Sequence, residues 1–329
     1  MRWHVICDTR DMFESKVGET SYNDHPSSEN VSDFIEAMRS CGYDASFFGG
    51  VSELVKSIHD RMAFEDAAFV NFSDGLDATY ARVQVPVLCE ILDVPYSGAD
   101  VFASALMNNK HCSCAIIREA GMPAPVGIRA TKNARPSITQ LERILPVFIK
   151  PNTEGSSVGI TPASLQSSAS AALVQIEEML GEYNEIVVER YIEGRDVTVF
   201  VFGNGDETMC LEPIELLSDS PFLDIGVKSS RGLERKLLRD TARNDTVLLV
   251  KQHAMAAYHA LNGQDMARMD YRLDAKGEPY FIEANSCPRF SRTSEIGFLA
   301  SQEEVTFEDY VSRFISIVER RLAKSSKLP

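Results

Sequence analysis

The chain has 329 residues, with 48 acidic and 33 basic side chains, a formal charge of −15, 44% hydrophobic and 25% charged residues. That length suits two or three domains rather than one, and the mixture is that of a globular protein with a core of normal size. The acidic balance excludes a broad nucleic-acid surface, but not a phosphate-bearing small molecule held by a few local cations. No stretch reaches the ~20 apolar residues of a membrane span, and Met1-Arg2-Trp3-His4 opens no apolar signal region, so a cytoplasmic protein is expected. The seven scattered cysteines read as free thiols, and Cys112 and Cys114 lack the second pair that a zinc site needs.

In chain order, residues 2–7 read as a short buried strand. Val31, Phe34, Ile35 and Met38 then fall at helical spacing up to Cys41-Gly42. Ala45–Phe48 reads as a strand, Val51–Met62 as a helix, Ala67–Phe72 as a strand and Val85–Leu92 as a helix, before a turn at Pro95-Tyr96-Ser97-Gly98. Strands alternating with helices imply parallel pairing with crossovers. Asp100–Ala120 reads as a helix broken near Asn108-Asn109. Strands are predicted at Val126–Arg129, Val147–Lys150 and Val158–Thr161, a helix at Ser164–Leu180, and strands at Ile186–Arg190 and Asp196–Phe202. The last third predicts a helix from Asp240 to Leu261, strands at Ala267–Leu273 and Pro279–Glu283, and an amphipathic helix from Phe307 to Leu322. No internal repeat is visible.

Four constellations carry chemistry. Pro146–Pro151 is a strand that delivers Lys150, followed by Glu154-Gly155-Ser156-Ser157-Val158-Gly159, whose small residues let backbone N–H groups approach an anion. Read alone, that turn is equally an ordinary hairpin. Arg268-Met269-Asp270 and Glu283-Ala284-Asn285 sit on two alternating segments joined by Asp274-Ala275-Lys276-Gly277, which predicts an antiparallel pair presenting Asp270, Glu283 and Asn285 as oxygen ligands. A few hard oxygens suit Mg²⁺ bound jointly with nucleotide phosphates. Glu189-Arg190-Tyr191-Ile192 through Asp196 is an apolar strand ending in a polar hinge, a place for a purine edge and a ribose, although a plain turn with exposed charges fits it as well. Lys110 and Lys228 are lone lysines, a residue type found mostly on surfaces.

Tyr96–Gly98 through Asn108-Asn109-Lys110, the Lys150 strand, Glu154–Gly159, Glu189–Asp196, and Arg268–Asp270 with Glu283–Asn285 resemble, in order, the landmarks of the D-alanine–D-alanine ligase branch of the ATP-grasp superfamily. The resemblance covers about residues 67–294. It implies an α/β fold with α+β character in its C-terminal part. An N-terminal parallel-sheet domain (1–98), a central domain (99–190) and a C-terminal domain (191–329) would hold ATP between the last two. It implies Lys110, Lys150, Glu154, Ser156 and Ser157 on the phosphates, Glu189, Arg190, Tyr191 and Ile192 at the adenine, and Asp196 on the ribose. Lys228 and Ser157 would close over the phosphates, Asp270, Glu283 and Asn285 would hold two Mg²⁺ ions (or Mn²⁺), and Arg268 would face the reacting carboxyl. The activity implied is ligation of a small-molecule carboxylate to an amine through an acyl phosphate, by a protein with no nucleic-acid or membrane partner. A homodimer is the oligomer to expect.

The pattern breaks in three places. Val17–Pro26 offers no clear counterpart of the glutamate that reads the first substrate's ammonium in that family. Asn71-Phe72-Ser73-Asp74-Gly75, with Arg82 and Gln84-Val85-Pro86, replaces the usual histidine and acidic segment. Arg289 and Glu295 stand where the family has glycine and leucine, and Arg289, Arg292 and Ser294 are candidates for a substrate carboxylate unless the arginines point outward. These breaks predict a substrate other than D-alanine. Phosphoryl transfer without ligation and a non-catalytic ATP-binding regulator are the alternatives to a ligase.

Overall fold

The computed structural model describes residues 1–16, 25–76, 79–218, 222 and 233–325. β1 (Arg2–Ile6) lies between β2 (Ala45–Gly49) and β3 (Ala67–Asn71), all parallel. Such a sheet must be covered on both faces. On one side α1 (Ser28–Ser40), capped by Ser27, buries Val31, Phe34, Ile35 and Met38. On the other, α2 (Val51–His59) and α3 (Gln84–Leu92) bury Val51, Leu54, Val85 and Cys89 against Ile6 and Phe69.

α4 (Val101–Asn108) and α5 (Lys110–Glu119) are separated at Asn109, whose side chain accepts from the Cys112 N–H and caps α5. β4 (Gly127–Thr131), β5 (Val147–Pro151), β6 (Leu165–Gln166) and β7 (Glu185–Arg190) form an antiparallel sheet in the order β4-β7-β5-β6. α6 (Ile138–Glu142) and α7 (Ala169–Glu182) cover one of its faces. The third sheet has the order β11-β10-β8-β12-β13, from β8 (Arg195–Phe202), β10 (Ile214–Leu217), β11 (Glu234–Leu237), β12 (Met266–Leu273) and β13 (Pro279–Asn285), with the short β9 (Met209–Cys210) beside β8. α8 (Asn244–Ala260) packs Val247, Val250, Ala254 and Tyr258 against one face of it. α9 (Glu295–Gln302) and α10 (Phe307–Ser325) follow, and α10 packs on α1. Among the described residues no helix is long and apolar enough to cross a membrane.

The expected strand at Val158–Thr161 is absent. Ser156, Ser157 and Gly159 have φ of +46°, +63° and +75°, a left-handed run that cannot pair as a strand. Ser164–Leu180 becomes β6 and then α7, which starts late because Ser168 caps it. The helix expected from Asp240 begins only at Asn244. The segment 99–190 is also divided. Met107, Cys114 and Ile117 of α4 and α5 share a core with Val199, Tyr258 and Phe281 of the third sheet and its helix, so only 127–190 forms a unit around its own sheet. Cys112 is exposed and Cys114 buried, as their places on α5 dictate.

Candidate active site

The site is built on the central strands of the third sheet. β12 pairs with β13 so that Arg268 faces Asn285 and Asp270 faces Glu283. Residues two apart share a face. Met269, Tyr271 and Ala284 therefore point back into the core under α8, while Arg268, Asp270, Glu283 and Asn285 form a polar square on the opposite face. Arg268 grips Asp270 through two edges, Nε to Oδ1 at 2.9 Å and Nη2 to Oδ2 at 2.8 Å. Thr198 of β8 donates to Asp270 Oδ1 at 2.6 Å, and Asn285 Nδ2 donates to Oδ2 at 3.2 Å. Burial opposes the Arg268 charge, but Asp270 more than offsets this and raises its pKa further.

Opposite stands the second sheet. Lys150 of β5 and Glu189 of β7 share its inner face and pair at 2.6 Å, both about 95% buried. Burial would strip the Lys150 proton, yet Glu189 and then Glu283 hold it on and raise its pKa. Lys110, first residue of α5, reaches Glu283 at 3.2 Å and also donates to the Glu154 carbonyl, so it ties the serine turn to the polar square. In that turn the left-handed Ser156 and Ser157 are held by Val158 N–H to Gly155 O at 2.9 Å and Ile160 N–H to Ser157 O at 3.1 Å. Left-handed non-glycine backbone costs about 1–3 kcal/mol per residue and is typical of anion cradles. At the hinge, Tyr191 N–H bonds Pro146 O at 2.8 Å. The Asp196 carboxylate is held by Arg272 at 3.2 Å, and that guanidinium lies over the Tyr191 ring, 5.3 Å from its centroid.

These walls enclose a cleft of ≈ 570 Å³, within the range of small-molecule sites. It is lined by Lys110, Lys150, Glu154, Ser156, Ser157, Glu189, Arg190, Tyr191, Ile192, Asp196, Arg268, Asp270, Glu283 and Asn285, so the phosphate, hinge and metal sets inferred from sequence converge. Lys228 lies outside the described residues. Of the substrate candidates, Arg289 and Ser294 line the cleft, though the Ser294 hydroxyl is engaged in its own turn, accepting from Ser291 N–H at 3.1 Å and donating to Ser291 O at 2.8 Å. Arg292 is a correction. It pairs with Glu308 and stacks on Phe307 at 4.8 Å, on the outer side of the segment and outside the cleft lining.

Three residues were not given roles from sequence. Arg82, ahead of α3, reaches Asn285 Oδ1 at 3.3 Å from the N-terminal unit. Arg235 pairs at 3.3 Å with Glu295, at the start of α9. Burial disfavours the Glu295 charge, but Arg268 and Arg235 hold its pKa below the ordinary value. Arg235 escaped because β11 was not recognised, and Glu295 registered only as a departure from pattern.

The polar square suits a hard divalent cation. Two carboxylates and an amide oxygen lie side by side facing the cleft. Among the described residues no group of three or more His, Cys, Asp and Glu forms a full protein cage. That donor set fits Mg²⁺, which completes its shell with phosphate oxygens and water.

Comparison with known proteins agrees. The family model described as D-ala D-ala ligase C-terminus matches residues 121–316, more than half of the chain. The D-alanine–D-alanine ligase of Geotalea uraniireducens is 30% identical over 72% of this chain and 74% of its own length. That of Pelotomaculum thermopropionicum is 28% identical over 92% and 91%. Among solved structures, the D-alanine–D-alanine ligase from Bacillus anthracis complexed with ATP shares the fold at TM-score 0.78 and 19% identity, covering 99% of both chains. The VanG D-Ala:D-Ser ligase from Enterococcus faecalis does so at 0.75 and 20%, covering 96% of this chain and 99% of its own. The family match and these relatives make the chain an ATP-grasp carboxylate–amine ligase. The chain belongs to the D-alanine–D-alanine ligase family, as an ATP-dependent enzyme that forms a carbon–nitrogen bond, and membership implies ATP and a divalent metal. The expected departure from D-alanine finds no support in these relatives, nor do the kinase and regulator alternatives. The charge of Glu295, one of the departures from the family pattern, is met by Arg235.

Proposed function

We propose that the chain condenses two small amino acids, with D-alanine the first to test, by activating one carboxylate with ATP and passing the acyl group to the other's amine. The observation that carries this is the square of Arg268, Asp270, Glu283 and Asn285 in one cleft with Lys110, Lys150 and the Ser156–Ser157 turn. A carboxylate approaching a triphosphate meets like-charge repulsion, which Lys110 and Lys150 offset. The hinge Glu189–Ile192, with the rings of Phe148, Tyr191 and Phe222, offers an apolar slot for adenine. Asp270, Glu283 and Asn285 would hold two Mg²⁺ ions, with Mn²⁺ as a substitute, and these supply charge neutralisation at the transferred phosphoryl group. Arg268, permanently charged and fixed in plane by Asp270, faces the carbonyl oxygen that gains charge when the amine attacks. Ser157 and Lys228 close over the phosphates in this reading, and Arg289 and Ser294 border the second substrate. Assembly as a homodimer and a cytoplasmic location belong to the same proposal.

The test is ADP release by the purified protein with ATP, Mg²⁺ and D-alanine, and then with pairs drawn from a panel of amino acids, the product being identified by mass. A dipeptide formed in step with ADP is expected. A folded, ATP-binding protein that releases no amine-dependent ADP with any pair would overturn the reading. A stable phosphorylated acid formed without amine would point to a kinase instead.

A further inference from the structure

The loop after β3 is pinned by hydrogen bonds at Asn71, Ser73, Gly75 and Leu76. Ser73 N–H donates to Asn71 Oδ1 at 3.1 Å, Gly75 N–H to Ser73 Oγ at 2.9 Å, and the Ser73 hydroxyl to Asp8 Oδ2. The other Asp8 oxygen accepts from Val51 N–H, at the start of α2, at 3.0 Å. Gln84 closes the loop with both ends of its amide, donating to Leu76 O at 2.8 Å and accepting from Leu76 N–H at 2.7 Å. Gly75 sits at φ +82°, and a Cβ there would come 2.2 Å from Ala81 O. The loop therefore has one shape, and it buries no large apolar side chain between Ser73 and Gly75. What it presents is Asp74, and beside it Arg82.

Both residues line the cleft, with side chains only 15% and 11% exposed. Arg82 Nε donates to Asp74 Oδ1 at 2.8 Å, which fixes the plane of the guanidinium. Its Nη1 then reaches Asn285 Oδ1 at 3.3 Å, and Asn285 in turn donates to Asp270. The series Asp270, Asn285, Arg82, Asp74 thus leads from the reacting face onto the wall supplied by the N-terminal unit. An α-amino acid carries an ammonium and a carboxylate on one carbon. A carboxylate and a guanidinium in contact match those two charges crosswise, and the guanidinium fork fits a carboxylate in particular. We propose that the Asp74–Arg82 pair reads the amino acid whose carboxylate is activated. Arg82, which reaches Asn285, takes the carboxylate, and Asp74 takes the ammonium. This rests on the ligase reading above and assigns the first-substrate determinant within it.

The experiment isolates the first substrate by using hydroxylamine as the accepting amine and reading ADP and hydroxamate. D-alanine is compared with propionate, which lacks the ammonium. Wild-type protein is expected to prefer D-alanine. Asp74→Asn should erase that preference by about 10- to 100-fold, the worth of one hydrogen bond to a charged group. Arg82→Gln should raise KM for both acids by a similar factor, and Arg82→Lys should recover part of the loss. KM for ATP and the thermal midpoint should stay near wild type in all three. Normal turnover with an unchanged D-alanine-to-propionate ratio in Asp74→Asn would overturn the inference, as would a joint fall in ATP affinity and thermal midpoint in both Arg82 variants, which marks a structural pair. Wild-type protein that activates no amino acid would bring down the ligase reading with it.

Discussion

Arg268 is flanked by carboxylates from two elements, Asp270 on its own strand and Glu295 at the head of α9. In the proposed reaction its charge is available without reorganisation when the oxyanion forms. Arg268→Ala should lower kcat by about 10²- to 10³-fold, as loss of an oxyanion donor does, while ATP affinity measured by calorimetry stays within a few-fold. An equal loss of both would make the residue a nucleotide contact. Glu295 gives a pH prediction. Its pKa is depressed below 4.5, chiefly by Arg268 and Arg235 acting against burial. A depressed carboxylate contributes stability that is present above its unfolded value and lost as pH falls through the folded one. Glu295→Gln should therefore lower the melting temperature at pH 7, and the gap to wild type should close below pH 4.5. The polar square was legible because strand alternation has period two and fixes which side chains share a face. Arg289 and Arg292 were not separable, since the segment 288–294 is irregular and no period tells which arginine points inward.

At the scale of elements, the break between α4 and α5 places Lys110. Asn109 caps α5 through Cys112 N–H at 2.9 Å, and Lys110 follows as the first helical residue, its backbone N–H on Asn152 O at 3.1 Å. Asn109→Ala should cost about 1 kcal/mol of stability, the usual worth of such a cap, and weaken ATP binding because the helical turn that carries Lys110 loses its cap. Chemical denaturation with nucleotide titration reads both. An intact ATP affinity would mean that the cap does not position Lys110 for the phosphates. The break itself was visible in the pair Asn108-Asn109, a turn-forming interruption in a helical period. β10 and β11 were not, because they are four residues each and β11 is charged at every position before Leu237. The false strand at Val158–Thr161 arose from β-branched residues read without the left-handed turn before them, which local tertiary contacts impose.

Across the whole molecule, the N- and C-terminal parts are joined through Asp265. Fully buried, it accepts from Arg321 of α10 at 2.8 and 2.7 Å, from Asn204 after β8 at 2.8 Å, and from Gly98 N–H after the N-terminal unit at 3.2 Å. Asp265→Ala strands the Arg321 charge and should cost about 3–5 kcal/mol in chemical denaturation, far more than any single surface ion pair. A loss under 1 kcal/mol would show that the units hold together without it. The mixed α/β class with an N-terminal parallel sheet was legible from the order of elements, but the sharing of cores was not, because a helix pattern shows that a face is buried and not against which sheet. In the proposed reaction one substrate's carboxylate is phosphorylated before the amine attacks. Turnover with D-alanine carrying heavy oxygen in both carboxylate positions reads that order. One labelled oxygen should appear in the phosphate for each dipeptide formed, and dipeptide accompanied by unlabelled phosphate would rule the acyl phosphate out.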